Sequence, residues 1–225
     1  MITVHHLENS RSQRVLWLLE ELGASYEVKL YRRGRNMLAP PELRAVHPLG
    51  KSPVITDSGA DGGGLRTIAE TGAIFDYLFG LYDPGHLMPP PLSDERLDYS
   101  YYMYAAEGTF MTPLLLRLIA VNIRRRTPWP IKPVAWSIAA SLENMLIKGA
   151  LKANFDLWEA ALTKSPWFAG DHFTAADIMM SFPVEAASAT TDVLKRPRIK
   201  AWLDAIHARA AYKAALQRGG PYAYA

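Results

Sequence analysis

The period of the apolar positions changes near residue 84. Before it, short alternating runs interleave with short helical stripes; after it only helical spacing is left. Ile2-Thr3-Val4-His5-His6-Leu7 and Tyr26-Glu27-Val28-Lys29-Leu30-Tyr31 predict two strands. Between them Val15, Leu18, Leu19 and Leu22 fall at i, i+3, i+4 and i+7, one stripe of a helix. Asn9, Ser10 and Ser12 offer capping oxygens before it, and Gly23 suits the C′ position after it. Pro40-Pro41-Glu42-Leu43-Arg44 predicts a short helix that His47-Pro48 ends. A hairpin follows, with strands from Ser52-Pro53-Val54 and Leu65-Arg66-Thr67-Ile68 around a turn over residues 59–64. Residues 70–78 predict another helix, with Ile74 and Leu78 on one face. The order is βαβαββα, a small mixed sheet with helices.

Pro84, Pro89, Pro90 and Pro91 mark residues 83–92 as a linker between a domain at 1–82 and an all-α domain at 93–225. In the second part the spacing predicts long helices over 94–123 and 134–162, with Pro113 as a kink in the first. Shorter helices are predicted over 175–188, 197–207 and 210–217, with Pro197 at N1.

Hydrophobic residues make up 49% of the 225 positions and charged ones 21%, enough for a core without staples and too apolar for a disordered chain. The net charge is only +3, so nucleic acid is not expected as a partner. By count, residues 1–80 hold nine basic and nine acidic side chains, and the remainder holds 16 and 13. No run of about 18 apolar residues predicts a membrane span. No basic-then-apolar leader opens the chain. These features make a cytoplasmic location the expectation. There is no cysteine, which excludes disulfides, cysteine metal sites and a cysteine nucleophile. The six histidines have no metal spacing, and the neighbours His5 and His6 point to opposite faces of a strand. No metal is expected.

Four segments carry a resemblance. They are Asn9-Ser10-Arg11-Ser12-Gln13-Arg14, Leu49-Gly50-Lys51-Ser52-Pro53-Val54, Glu70-Thr71-Gly72-Ala73-Ile74 and Gly170-Asp171-His172-Phe173-Thr174-Ala175-Ala176-Asp177-Ile178. With the sheet domain, the proline linker and the helical domain, the chain resembles a cytosolic glutathione transferase of the serine type found in bacteria and fungi, over essentially its full length. The resemblance implies a thioredoxin-like α/β domain that binds glutathione and a C-terminal helical bundle. It implies that a serine hydroxyl before the first helix activates the glutathione thiol. A hydroxyl donor and the positive end of a helix both stabilise a nearby thiolate. Ser10 is the preferred residue, with Ser12 and then Asn9 as alternatives, and both serines also suit plain helix caps. The same resemblance makes Pro53 cis and has the Ser52 backbone pair with the cysteinyl part of glutathione. Lys51 would meet the glycine carboxylate, or be an ordinary loop lysine. Thr71 and the helix start would bind the γ-glutamyl carboxylate, and Glu70 its ammonium group. Thr174 and Asp177 suit a capping box, with Phe173 as its staple.

Tyr99, Tyr101, Tyr102, Met103, Tyr104, Glu107, Phe110 and Met111 crowd the first helix after the linker. The resemblance places an acceptor pocket and a homodimer cleft along it, with Tyr104, Glu107 and Met111 chosen for the pocket; ordinary core packing accounts for at least half of the group. The implied function is conjugation of the glutathione thiolate to small hydrophobic electrophiles, a detoxification chemistry, with hydroperoxide reduction beside it. Two alternatives stay open: a non-enzymatic binding or regulatory module, and a reductase that uses two glutathiones.

Overall fold

The computed structural model describes residues 1–34, 38–59 and 64–224. Most of the predicted 59–64 turn therefore lies outside the described residues. The elements are β1 (Ile2–Leu7), α1 (Gln13–Glu21), β2 (Tyr26–Tyr31), α2 (Glu42–Val46), β3 (Val54–Asp57), β4 (Arg66–Ala69) and α3 (Thr71–Leu81). Then come α4 (Asp94–Ala105), α5 (Met111–Arg126), α6 (Lys132–Leu142), α7 (Lys148–Lys164), α8 (Ala175–Ser188), α9 (Pro197–Ala208) and α10 (Ala210–Gly219). The first seven elements reproduce the βαβαββα order. The sheet order is β2-β1-β3-β4. β1 runs parallel to β2 from Ile2↔Tyr26 to Leu7↔Tyr31, and antiparallel to β3 with Val4 opposite Ile55. β3 pairs antiparallel with β4, with Val54 opposite Ala69. The end of β1, the start of β3 and the end of β4 thus lie at the same end of the sheet.

Two compact units divide the chain: Met1–Met88 with Asp204–Ala225, and Pro89–Leu203. The predicted division at 93–225 differs from this in the C-terminal segment. The reason is on α1, which is buried over Gln13, Arg14, Val15, Leu16, Trp17, Leu18 and Leu19 rather than along one stripe. α10 packs on α1. Trp17 meets Tyr212 edge-on at 5.0 Å, and Arg209 forks onto Glu21 at 2.6 and 2.8 Å. Leu16 and Trp17 lie outside the predicted stripe because their partners are some 200 residues away in sequence. Gly23 ends α1 with a φ of +62°, as a C′ glycine does.

In the helical unit both long predicted helices contain a π turn. Ala106–Phe110 separates α4 from α5, and Glu143–Ile147 separates α6 from α7. Pro113 follows the first of them. It has no N–H to give to residue 109 and its ring crowds that carbonyl, so the wider turn accommodates it. The core is aromatic: Tyr102 on Phe168 at 4.8 Å, Phe110 on Trp158 at 5.2 Å and Phe168 on Trp202 at 4.9 Å. α8 is buried along nearly its whole length. Arg124, in the last turn of α5, forks onto the buried Glu143 at 3.1 and 3.0 Å.

The expectation of no membrane-length segment needs a correction. The helical run Asp94–Arg126 is long and apolar enough, by length and composition, to cross a membrane. Its buried residues Tyr102, Phe110 and Leu114 belong to the bundle, where α4 and α5 pack on α8. A core helix meets the same criterion.

Candidate active site

The turn from β1 into α1 reverses the chain through Asn9, whose φ of +50° is a left-handed conformation that asparagine tolerates well. This brings Ser10 and Ser12 over the end of β1. Ser10 Oγ lies 2.7 Å from Ser12 Oγ, and Ser12 Oγ lies 2.8 Å from His6 Nδ1. The Ser12 N–H also donates to Ser10 Oγ at 3.3 Å. All three side chains are buried: Ser10 is 5%, Ser12 0% and His6 2% exposed. Ser12 stands at the N-cap of α1 but makes no side-chain cap bond. Its hydroxyl serves the chain of hydroxyls instead. Burial lowers the His6 pKa to about 4, because a low-dielectric site disfavours the imidazolium. His5 points to the other face, where it meets Tyr31 Oη at 2.9 Å and Thr56 Oγ1 at 3.2 Å.

Asn9 is held by the C-terminal segment and by the loop after β2. Its Oδ1 accepts from the Ala223 N–H at 2.7 Å, and its carbonyl accepts from Arg33 at 3.2 Å. The Ser52–Pro53 bond is cis. Ser52 Oγ donates to the His5 carbonyl at 3.1 Å, which ties the loop before β3 to β1. Lys51 is exposed in that loop.

Glu70 has a φ of +75° and an exposed side chain. A non-glycine residue in that region carries backbone strain, a feature that gathers at functional sites. Its carbonyl accepts from the Ile74 N–H at 2.9 Å, and α3 starts at once with Thr71. The first-turn N–H groups of α3 have no side-chain cap from Glu70, which makes the helix start a donor site for an anion. Arg14, 1% exposed, donates from Nη2 to Thr71 Oγ1 at 3.3 Å. The Thr71 hydroxyl therefore accepts there and keeps its own hydrogen to donate. The structure thus joins Ser10, Ser12, Ser52, Pro53 and Thr71 around one end of the sheet, through His6, His5 and Arg14.

Tyr104, Glu107 and Met111 belong to the helical unit. Tyr104 is 75% exposed, while Glu107 and Met111 are half-buried at the first π turn. Among the described residues no group of three or more His, Asp and Glu side chains is placed to hold a metal ion.

His6 and Arg14 are the residues that sequence reasoning passed over. The strand alternation shows only that one of His5 and His6 must face inward. Nothing local pairs His6 with Ser12, because that contact depends on the reversal at Asn9. Gln13 was missed as well: it is 3% exposed with neither amide atom hydrogen-bonded.

Known proteins resemble this chain in both of its units. The family model described as Glutathione S-transferase, N-terminal domain, matches residues 10–79, and that described as Glutathione S-transferase, C-terminal domain, matches residues 135–205. Glutathione S-transferase 1 of Saccharomyces cerevisiae is 33% identical over 97% of this chain and 95% of its own length. Glutathione S-transferase 3 of Schizosaccharomyces pombe is 32% identical over 97% of this chain and 88% of its own. A crystal structure of a glutathione S-transferase from Actinobacillus pleuropneumoniae superposes with a TM-score of 0.76 at 29% identity, over 100% of this chain and 95% of that one. With a thioredoxin-like sheet unit, a helical unit and matches that run through both, the chain belongs to the glutathione S-transferase family, a family of transferases.

Proposed function

We propose that this chain conjugates the glutathione thiolate to small hydrophobic electrophiles, with Ser10 as the group that donates a hydrogen bond to the sulfur. The observation that carries the reading is the shared end of the sheet. A buried hydroxyl at the end of β1, the backbone before Pro53 and the open start of α3 face the same region. Their chemistry matches the three parts of a γ-glutamyl tripeptide thiol. The N–H groups at the start of α3 and the Thr71 hydroxyl take the γ-glutamyl carboxylate, and Glu70 takes its ammonium group. The Ser52 backbone beside Pro53 pairs with the cysteinyl residue, and Lys51 meets the glycine carboxylate. Asn9 holds the turn that presents Ser10. Ser12 is the alternative catalytic hydroxyl.

A free thiol has a pKa near ~8.5, so a donor and a helix start are enough to make it mostly thiolate at neutral pH. With an aryl halide the thiolate attacks the ring carbon, a carbon–sulfur bond forms, and the halide leaves with the bonding pair. The protein supplies ionisation and proximity. The acceptor would rest on the helical unit near Tyr104, Glu107 and Met111, where a polarizable methionine and an exposed ring suit varied apolar molecules. A homodimer in the cytoplasm is part of the same reading. The homodimer is supported by the apolar residues that the helical unit exposes, among them Leu115, Leu118, Trp129, Val134 and Trp136.

The test is steady-state turnover with a model aryl halide. Ser10→Ala is expected to cut kcat by about 10²-fold or more, the size of a lost transition-state donor, with a smaller change in glutathione affinity. Loss of turnover in Ser12→Ala with an unaffected Ser10→Ala would reverse the assignment. No conjugation with any of a panel of electrophiles, despite retention on immobilised glutathione, would favour the binding-module alternative.

A further inference from the structure

One hydroxyl is enough to donate to a sulfur, yet Ser10 is the end of a buried line of three polar groups. The line runs Ser10 Oγ, 2.7 Å, Ser12 Oγ, 2.8 Å, His6 Nδ1. Each hydroxyl has one hydrogen, so the line has two possible directions. If Ser10 donates to Ser12 and Ser12 to a bare His6 Nδ1, the Ser10 hydrogen is spent inward. Ser10 then shows a thiolate only lone pairs. If His6 carries its proton on Nδ1 and donates outward, Ser12 donates to Ser10, and the Ser10 hydrogen is left to point away from the line.

Two further contacts fit the outward direction. The Ser12 N–H, which can only donate, is aimed at Ser10 Oγ at 3.3 Å, so Ser10 already acts as an acceptor on its inner side. With His6 Nδ1 protonated, the Ser12 hydroxyl has two acceptors within reach, Ser10 Oγ at 2.7 Å and the Leu7 carbonyl further off at 3.4 Å.

We propose that Ser12 and His6 are positioning residues: His6 with its proton on Nδ1 donates to Ser12, Ser12 donates to Ser10, and the Ser10 hydroxyl is thereby held with its hydrogen directed at the glutathione sulfur. This rests on the reading of Ser10 as the thiolate donor. The line orients and polarises, since hydrogen bonds in series strengthen one another. It does not take the thiol proton. Burial holds the His6 pKa down near 4, so the imidazole stays neutral across the working range and the thiol proton leaves to solvent. Ser12→Ala and His6→Phe both cut the line, while His6→Asn keeps a donor close to the Nδ1 position.

The experiment is an ultraviolet titration of the thiolate of enzyme-bound glutathione, run beside binding of S-methylglutathione, which has no ionisable thiol. Ser12→Ala and His6→Phe are expected to raise the bound thiol pKa, with about a two- to tenfold loss of thiolate at neutral pH, the effect of one hydrogen bond. S-methylglutathione affinity should stay within about twofold of the parent in both, and His6→Asn should recover most of the ionisation. In a Ser10→Ala background the further change Ser12→Ala should add nothing, because the line then has no hydroxyl to aim. An unshifted thiol pKa in Ser12→Ala, with Ser10→Ala shifted, overturns the proposal and leaves Ser10 as the donor. An unshifted thiol pKa in Ser10→Ala overturns the reading of Ser10 itself. Parallel losses of S-methylglutathione affinity would mean a structural role only, and overturn the proposal too. If His6→Phe does not fold, Ser12→Ala and the double variant decide alone.

Discussion

The two units each bury a polar cluster next to a helix start, and the clusters are built in opposite ways. In the helical unit Asp177, 0% exposed, is saturated. Its two oxygens accept from the Phe168 N–H at 3.0 Å, the Trp202 Nε1–H at 2.9 Å, the Thr174 N–H at 2.9 Å and Thr174 Oγ1 at 3.3 Å. The carboxylate binds the start of α8, the segment before it and α9 into one piece, and it has nothing left to offer a ligand. In the sheet unit Ser10, Ser12 and His6 are joined end to end, and the last hydroxyl keeps a free valence. A saturated polar knot fixes a fold, whereas a line with an open end can act on something else.

That contrast is broken first by Asp177→Ala. It orphans three backbone or indole donors in a dry core and removes the capping-box partner of Thr174. An orphaned buried donor costs about 1–3 kcal/mol. The expected loss is therefore about 3 kcal/mol or more in denaturant unfolding, well above the cost of a lost cap alone. A loss under about 1 kcal/mol would mean that the cluster is not the clamp its geometry suggests.

A second prediction concerns pH. Burial raises the Asp177 pKa to about 6, against the four hydrogen bonds that pull it down. A carboxyl whose pKa is higher in the folded than in the unfolded chain contributes stability that is fully present below the unfolded value. It is lost as pH rises through the folded one. The parent should gain stability from this group between pH 7 and pH 4, by about 2 kcal/mol at about 1.4 kcal/mol per unit. Asp177→Asn cannot share that gain, so the gap between the two proteins should widen on acidification. A gap that narrows would show that the four donors outweigh burial.

The difference between the clusters also decides what the sequence could reveal. Thr174 and Asp177 are three residues apart, a local spacing with a local meaning, so the cap was legible. Trp202 and Phe168 as further donors to Asp177 were not, because they come from other elements. Phe173, read as a staple, packs edge-on against Trp167 at 5.3 Å. The strands, α1 and α3 were legible because each carries a short-range period and a breaker. The π turns were not, since a single wider turn leaves the apolar spacing nearly unchanged. Ser10 was reached through the resemblance of its segment. His6 was not reached, because its bond to Ser12 needs both the strand register and the left-handed turn at Asn9. The spacing of α10 predicts one more helix of the bundle; its place on α1 follows from tertiary packing that no window of sequence contains.

The smallest effect separates the units by their glycines. In α10 a Cβ on Gly219 would lie 2.8 Å from Gln13 Oε1, 2.9 Å from Leu16 Cδ1 and 3.2 Å from His6 Nε2. Gln13, Leu16 and His6 are buried, so none can swing aside freely. Overpacking of this kind costs about 1–3 kcal/mol, against a gain of up to about 1 kcal/mol from replacing glycine by alanine in a helix. Gly219→Ala should therefore lose about 1 kcal/mol net. Gly149, in α7 of the helical unit, would meet nothing within 4 Å. Gly149→Ala should gain up to about 1 kcal/mol, the propensity difference alone. The pair, measured by thermal unfolding of the same protein, tests whether α10 is seated tightly over His6 and Gln13. If both variants were stabilised equally, the C-terminal helix would be packed loosely enough to take a methyl group. The close seating of α10 over His6 would then fail, while the hydrogen bonds among Ser10, Ser12 and His6 would remain to be judged by the thiol titration.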